Sequence, residues 1–143
     1  MIQVVLFGAV ASAGALGPGW PGSVRTVTSV AGAVVIACGG LLAVRGVLDL
    51  RENLTVFPRP LAGARLVDSG AYGLVRHPIY GGLILGALGW SLVTASWPAL
   101  AATGLLTAFF ELKSRREEAW LAARFDGYEA YRRRTRRFLP WLH

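Results

Sequence analysis

Apolar residues fall into four blocks, at positions 2–16, 27–44, 79–95 and 97–110, and none of the four contains a charged residue. Uncharged apolar blocks of this length predict helices that cross a bilayer. Each is slightly shorter than the roughly 20 residues that span one comfortably, a deficit that interfacial residues or local thinning absorbs. Gly17-Pro18-Gly19 stops the first block, a turn at Ser96 separates the third from the fourth, and Arg45 ends the second in a position to snorkel. Past residue 110 the pattern changes. Residues 111–124 read as a continuing helix, with Trp120, Leu121 and Phe125 as an apolar stripe flanked by Glu117 and Glu118. Asp126-Gly127 breaks it, and a second short helix is expected over 128–137 before Pro140, with Tyr128 and Tyr131 on one face. The expected fold is all-α: an integral membrane bundle of about four transmembrane helices with a cytosolic C-terminal helical segment lying over its inner mouth, a single domain over residues 1–143.

Charge orients this bundle. Arg45, Arg51, Arg59, Arg65 and Arg76 surround the loop between the second and third blocks, and nine cations against four acids lie in residues 113–137. The opposite connections carry Arg25 alone. The positive-inside rule therefore puts both termini and the middle loop in the cytoplasm, with a bacterial cytoplasmic membrane as the expected location. Glycines within the second block (Gly32, Gly39, Gly40) and the third (Gly82, Gly86, Gly89) allow close backbone approach, and Trp90, Trp97 and Trp120 suit the membrane interfaces.

Composition agrees with this reading: 54% of the 143 residues are hydrophobic and 16% charged, with a mean hydropathy of +0.48. The net charge of +7 does not point to nucleic acid, because the cations crowd beside apolar segments, where anionic lipid is the nearer counter-charge. One cysteine, Cys38, excludes an intrachain disulfide. His77 and His143 have no cysteine companions at metal-binding spacing, so no metal site is expected. Ala11-Ser-Ala13 looks like a signal-peptide cleavage site, but Met1-Ile-Gln3 lacks a positive charge. Asn53-Leu-Thr55 matches a glycosylation sequon on the side assigned to the cytoplasm, and is read as accidental.

The chemistry concentrates where the polar loop enters the third block. Arg76, His77 and Tyr80 lie within five residues, at a depth where polar groups persist if they are paired or at work. Pro78 starts the helix there, where a missing N–H costs nothing. A second polar cluster, Lys113-Ser-Arg-Arg-Glu-Glu118, follows the fourth block on the same predicted side. Together the two supply guanidinium, imidazole, phenol and carboxylate, which suits a small zwitterion with an amine, a carboxylate and an aromatic base. S-adenosylmethionine carries all three. Taken singly, each residue also has a plain structural role: the arginines as positive-inside anchors, the glutamates as a solvated helix face paired with Lys113 and Arg115, the tyrosines as packing.

In their order and spacing, Arg76-His77-Pro78-x-Tyr80-x-Gly82, then Glu117-Glu118, Leu121, Phe125, Tyr128, Tyr131 and Pro140, resemble the isoprenylcysteine carboxyl methyltransferase and phospholipid methyltransferase superfamily. The stretch from Asn53-x-Thr55 through Leu66-Val-Asp-Ser-Gly70-x-Tyr72 is similar to bacterial members, and the resemblance covers roughly residues 51–141. It implies an integral membrane enzyme that takes S-adenosylmethionine on the cytosolic side and methylates a lipophilic acceptor, an isoprenylcysteine-like carboxylate, a lipid or a small hydrophobic molecule. Carried over, the catalytic residues would be Arg76, His77 and Glu118. The cofactor would be bound by His77, Pro78, Tyr80, Gly82, Lys113, Arg115, Glu117, Glu118, Tyr128 and Tyr131, with no metal. Within that set Glu117 or Glu118 would hold the ammonium, and Arg76 or Arg115 the carboxylate. Lys113 stands where the family often has arginine, and a lysine gives charge without the bidentate fork. Ala71 stands where a proline is common.

In-line displacement at a sulfonium methyl requires positioning and water exclusion more than acid or base; a base, from His77 or a glutamate, is needed only for a protonated acceptor. Lateral entry of the acceptor past the glycines of the third block fits that scheme. Two rival classes remain open on the residues alone: a membrane reductase that binds NADPH, and a non-enzymatic membrane scaffold.

Overall fold

The computed structural model of the chain describes residues 1–50 and 66–140; the expectations placed on Arg51, Arg59, Arg65, the Asn53-Leu-Thr55 stretch, Trp141 and His143 fall outside them. Among the described residues the fold is all-α. Six helices follow in order: α1 (Ile2–Leu16), α2 (Gly22–Leu50), α3 (Ala71–Leu74), α4 (Pro78–Val93), α5 (Trp97–Arg124) and α6 (Tyr128–Arg134). Within α2, Val24–Leu50 is long and apolar enough to cross a membrane, 27 residues at a mean hydropathy of 2.2. At about 1.5 Å per residue that exceeds a hydrocarbon core of about 30 Å. The α1 and α4 helices are apolar but shorter. Large apolar side chains such as Val4, Val5, Val27, Val30 and Leu41 are exposed.

Helix boundaries follow local chemistry. The second apolar block carries no breaker at either edge, so α2 extends beyond it in both directions. The third stops at Val93 because Thr94, Ala95 and Ser96 form a turn in which Ala95 has φ 51°. The α5 helix runs without interruption from the apolar Trp97 side into the charged residues that end at Arg124. The last helix ends at Arg134, short of the expected 137, since Thr135 turns extended (φ −122°, ψ 152°) and the residues after it take another partner.

The chain forms two compact units: residues 1–41 with 82–110, and residues 42–81 with 111–143. In the first, glycines bring α2 and α4 into backbone contact. A Cβ on Gly32 would lie 2.6 Å from the Gly89 carbonyl oxygen, and one on Gly39 would lie 2.7 Å from that of Gly82. The pairs 32/89 and 39/82 run in opposite senses, so the two helices are antiparallel at this contact, the small-residue packing of membrane helices. Hydroxyls add polar contacts: Ser29 Oγ donates to the Val93 carbonyl at 3.2 Å, and the buried Ser91 and Thr103 hydroxyls lie 3.0 Å apart. Ser96 Oγ donates to the Ala13 carbonyl at 2.8 Å, and the Trp20 and Trp97 rings pack at 5.1 Å between centroids.

The second unit carries the polar residues. Gly70 takes φ 60°, a conformation that suits glycine, and a side chain there would collide with the Asp49 carboxylate. That carboxylate accepts from the Ala71 N–H at 2.7 Å, so the end of α2 caps the start of α3. Gly46 lets α2 touch the start of α4, since a Cβ there would sit 2.9 Å from Pro78 Cγ.

Gly32→Ala and Gly89→Ala should therefore each lower the thermal midpoint in detergent, by an overpacking cost of about 1–3 kcal/mol that exceeds the gain in helix propensity. Gly40→Ala, where a new methyl meets nothing within 4 Å, should leave the midpoint unchanged or raise it.

Candidate active site

Backbone pairing joins two distant stretches of the second unit. The Arg76 N–H donates to the Arg136 carbonyl at 2.7 Å and the His77 N–H to the Arg137 carbonyl at 2.9 Å, while Val75 and Arg136 form a parallel bridge. Immediately beyond, Pro78 opens α4, and the His77 carbonyl accepts the first-turn N–H of Gly81 at 2.9 Å. Gly81 is pressed against the Phe138 carbonyl so closely that any side chain would strike backbone. The loop that carries Arg76 and His77 is thus fixed by main chain before any side chain acts.

Glu118 is the centre of the side-chain network and only 5% exposed. Its Oε1 lies 2.9 Å from Arg76 Nε, 3.1 Å from Arg137 Nε and 3.3 Å from His77 Nε2. Its Oε2 accepts from Arg137 Nη2 at 3.2 Å and has Arg132 Nε at 3.8 Å. Arg137 reaches with Nη1 to Glu111 as well, and Arg76 Nη1 donates to the carbonyls of Arg132 (3.1 Å) and Thr135, capping the end of α6.

Glu117 is differently placed. It is 14% exposed, its Oε1 accepts from the Tyr80 hydroxyl at 2.6 Å, and its Oε2 lies 3.7 Å from His77 Nδ1. The His77 and Tyr80 rings stack, 5.5 Å between centroids and 3° from parallel. Lys113 Nζ stands 4.9 Å from the Tyr80 ring centroid. On α6, Tyr128 and Tyr131 are buried and meet edge to face at 5.8 Å. Tyr131 donates to the Tyr72 carbonyl at 2.8 Å, whereas the buried Tyr128 hydroxyl has no hydrogen-bond partner among the described residues.

The sequence profile of the phospholipid methyltransferase family matches residues 27–127. The chain belongs to that family. The likeness drawn from Arg76-His77-Pro78-x-Tyr80 and Glu117-Glu118 was to the same superfamily. Over 81 residues, 54% of this chain and 36% of the relative, it is 42% identical to the cobalt-zinc-cadmium resistance protein CzcN of Cupriavidus metallidurans. Over 79 residues, 54% of this chain and 34% of the relative, it is 36% identical to the protein-S-isoprenylcysteine O-methyltransferase of Schizosaccharomyces pombe. The match thus spans about a third of the length of either curated relative. Membership in the phospholipid methyltransferase family covers both halves of the network that meet at Glu118, but stops short of α6 and Arg137.

Of the residues singled out from the sequence, the structure gathers Arg76, His77, Pro78, Tyr80, Lys113, Glu117, Glu118, Tyr128 and Tyr131 in the second unit. Gly82 belongs to the first unit, where its carbonyl packs against Gly39. Arg115 is 66% exposed and bonds Glu111 one turn earlier at 2.9 Å, so it joins the Glu118 network only at its outer edge, through the carboxylate that Arg137 also bonds. Sequence reasoning missed Arg137 and Glu111, because Arg137 lies in a run of arginines that reads as a membrane anchor. The available signal was the apolar Phe138-Leu139 directly after it: Phe138 packs 6.0 Å from the His77 ring, which draws its neighbour inward.

Electrostatics fix the protonation states. Burial alone would raise the Glu118 carboxyl, but hydrogen bonds from His77, Arg137 and Arg76, with the Arg76 charge, hold it well below the usual carboxylate range. Burial opposes the charge on Arg137, and the bond to Glu118 with the Glu118 and Glu111 charges outweighs it, raising Arg137 further. Burial pushes the Tyr72 and Tyr128 phenols up strongly and that of Tyr131 up to about 12, so all three remain donors.

A depressed carboxyl stabilises the fold above its unfolded value of about 4.3 and loses that contribution as pH falls below it. Glu118→Gln should accordingly lower the thermal midpoint at neutral pH. Its deficit relative to wild type should shrink as pH is taken from about 5 to about 3. Parallel midpoints across that range would sink the assignment of Glu118 as the ionised hub.

Proposed function

We propose that this chain is a single integral membrane methyltransferase domain that transfers a methyl group from S-adenosylmethionine to a lipophilic acceptor at the cytosolic membrane face. The observation that carries the reading is the convergence of the two clusters of the sequence motif, Arg76-His77-Pro78-x-Tyr80 and Glu117-Glu118, into one buried network, in a chain of a methyltransferase family. Four spans, with both termini cytoplasmic, form the topology that goes with it.

The donor set fits the cofactor. The Glu117-Glu118 pair offers a carboxylate to an ammonium, and Arg132, 48% exposed, offers a guanidinium to a carboxylate. The stacked His77 and Tyr80 rings provide an aromatic surface for the adenine, and the unpartnered Tyr128 hydroxyl supplies a buried donor. When bound, S-adenosylmethionine supplies an electrophilic methyl with a neutral thioether as its leaving group. The residues here bind and orient: the ladder at Arg76 and His77 and the salt bridges of Glu118 hold the ring stack still, and burial keeps water away. Positioning of this kind can supply about 7–11 kcal/mol of the barrier to such a displacement.

Titration of S-adenosylhomocysteine into detergent-purified protein tests the reading. Saturable binding by wild type, weakened about tenfold or more in His77→Ala (a difference of about 1.4 kcal/mol), is the expected result. A folded wild type that ignores S-adenosylhomocysteine but binds NADPH would transfer the site to the reductases, and one that binds neither would leave a scaffold.

A further inference from the structure

The two adjacent glutamates look equivalent in the sequence, yet their surroundings differ. Glu118 is saturated: an ionised carboxylate offers about four lone-pair sites, and Arg76, His77 and Arg137 supply four contacts of 3.3 Å or less, with Arg132 at 3.8 Å. An incoming ammonium would have to displace a guanidinium seated on both oxygens and break its two bonds to this buried carboxylate, which costs more than the exchange returns. The salt bridges of Glu118 also fix the fold, through the Arg76 bonds to the end of α6 and the Arg137 bond to Glu111.

Glu117 has the opposite character. One oxygen accepts from a neutral phenol, and the other has His77 Nδ1 at 3.7 Å, beyond ordinary hydrogen-bond reach. Among the described residues no guanidinium bonds it, in contrast to Glu118. It is nearly three times as exposed as Glu118. The Lys113 ammonium over the Tyr80 ring is a resident instance of an ammonium held beside this same phenol.

We infer that the two glutamates divide the work, Glu117 with Tyr80 binding the ammonium of the cofactor's amino-acid end, and Glu118 acting as a positioning residue that holds Arg76 and His77 through its salt bridges. This assignment rests on the methyltransferase reading and adds to it which carboxylate meets the ligand. It also predicts selectivity by ligand part. A residue that touches the amino-acid end affects ligands that possess that end and no others.

The test compares S-adenosylhomocysteine with 5′-methylthioadenosine, which keeps the nucleoside and thioether but lacks the amino acid, by calorimetric titration in detergent. Glu117→Gln should weaken S-adenosylhomocysteine about tenfold or more, leave 5′-methylthioadenosine unchanged, and leave the thermal midpoint of the ligand-free protein near wild type. Glu118→Gln should lower that midpoint and weaken both ligands together, with Glu118→Asp restoring part of each. Glu117→Asp serves as a second variant at the ligand-facing position, and should show the same selective loss. Wild-type affinity for S-adenosylhomocysteine in both Glu117 variants, or an equal loss for both ligands, overturns the division of labour alone. Failure of folded wild type to bind S-adenosylhomocysteine overturns the methyltransferase reading, and this assignment with it.

Discussion

The bidentate grip of Arg137 on Glu118, shared with Arg76 and His77, is the constraint on which the second unit depends. A buried carboxylate is tolerable only if its charge is met, and here it is met from two sides of the sequence at once. Arg76 brings the loop before α4, Arg137 brings the segment after α6, and Glu118 brings the polar half of α5. Burying such a group is not a cheap source of stability, because desolvation offsets much of the attraction. What it supplies is a unique arrangement, since any register error would leave a charge buried and unpaired.

The main-chain ladder between residues 75–77 and 135–137 serves the same end by a different force. It fixes the direction in which His77 leaves the backbone, and Pro78 and Gly81 then admit α4 without a gap. Close approach through glycine recurs at each junction of this unit, at Gly46, Gly70 and Gly81, where a side chain would meet ring, carboxylate or carbonyl. Rigid surroundings of this kind let an imidazole and a phenol lie 3° from parallel.

Much of this was legible beforehand. The apolar blocks announced helices, because charge-free runs have few other stable states, and the change of pattern after residue 110 announced the polar end of α5. The glycines at 32, 39, 82 and 89 announced helix contacts, although Gly40 and Gly86 carried the same signal and a methyl added at either would meet nothing within 4 Å. Arg76, His77, Tyr80, Glu117 and Glu118 were visible because their order is that of a known family. Arg137 was not, since one of several neighbouring arginines reveals no burial in its type. Nor was the difference between Glu117 and Glu118, adjacent and chemically identical, which arises only when a helix turns one toward two guanidiniums and the other toward a phenol. The end of α6 was misplaced by three residues for a related reason: the residues after Arg134 are satisfactory helix formers, but their carbonyls are claimed by Arg76 and His77.

The ladder also carries a consequence for the order of events during synthesis. Arg76 and His77 are made some 60 residues before the carbonyls that hold them. The apolar helices can therefore be complete while the polar cluster is still open, with the loop before α4 not yet held by the Arg136 and Arg137 carbonyls. Long-range closure of this sort is a slow step of folding. A nascent chain halted after Phe125 would contain every helix of the first unit and both glutamates, and still have no assembled site. Closure of the polar cluster thus arrives last, after every apolar helix has been made.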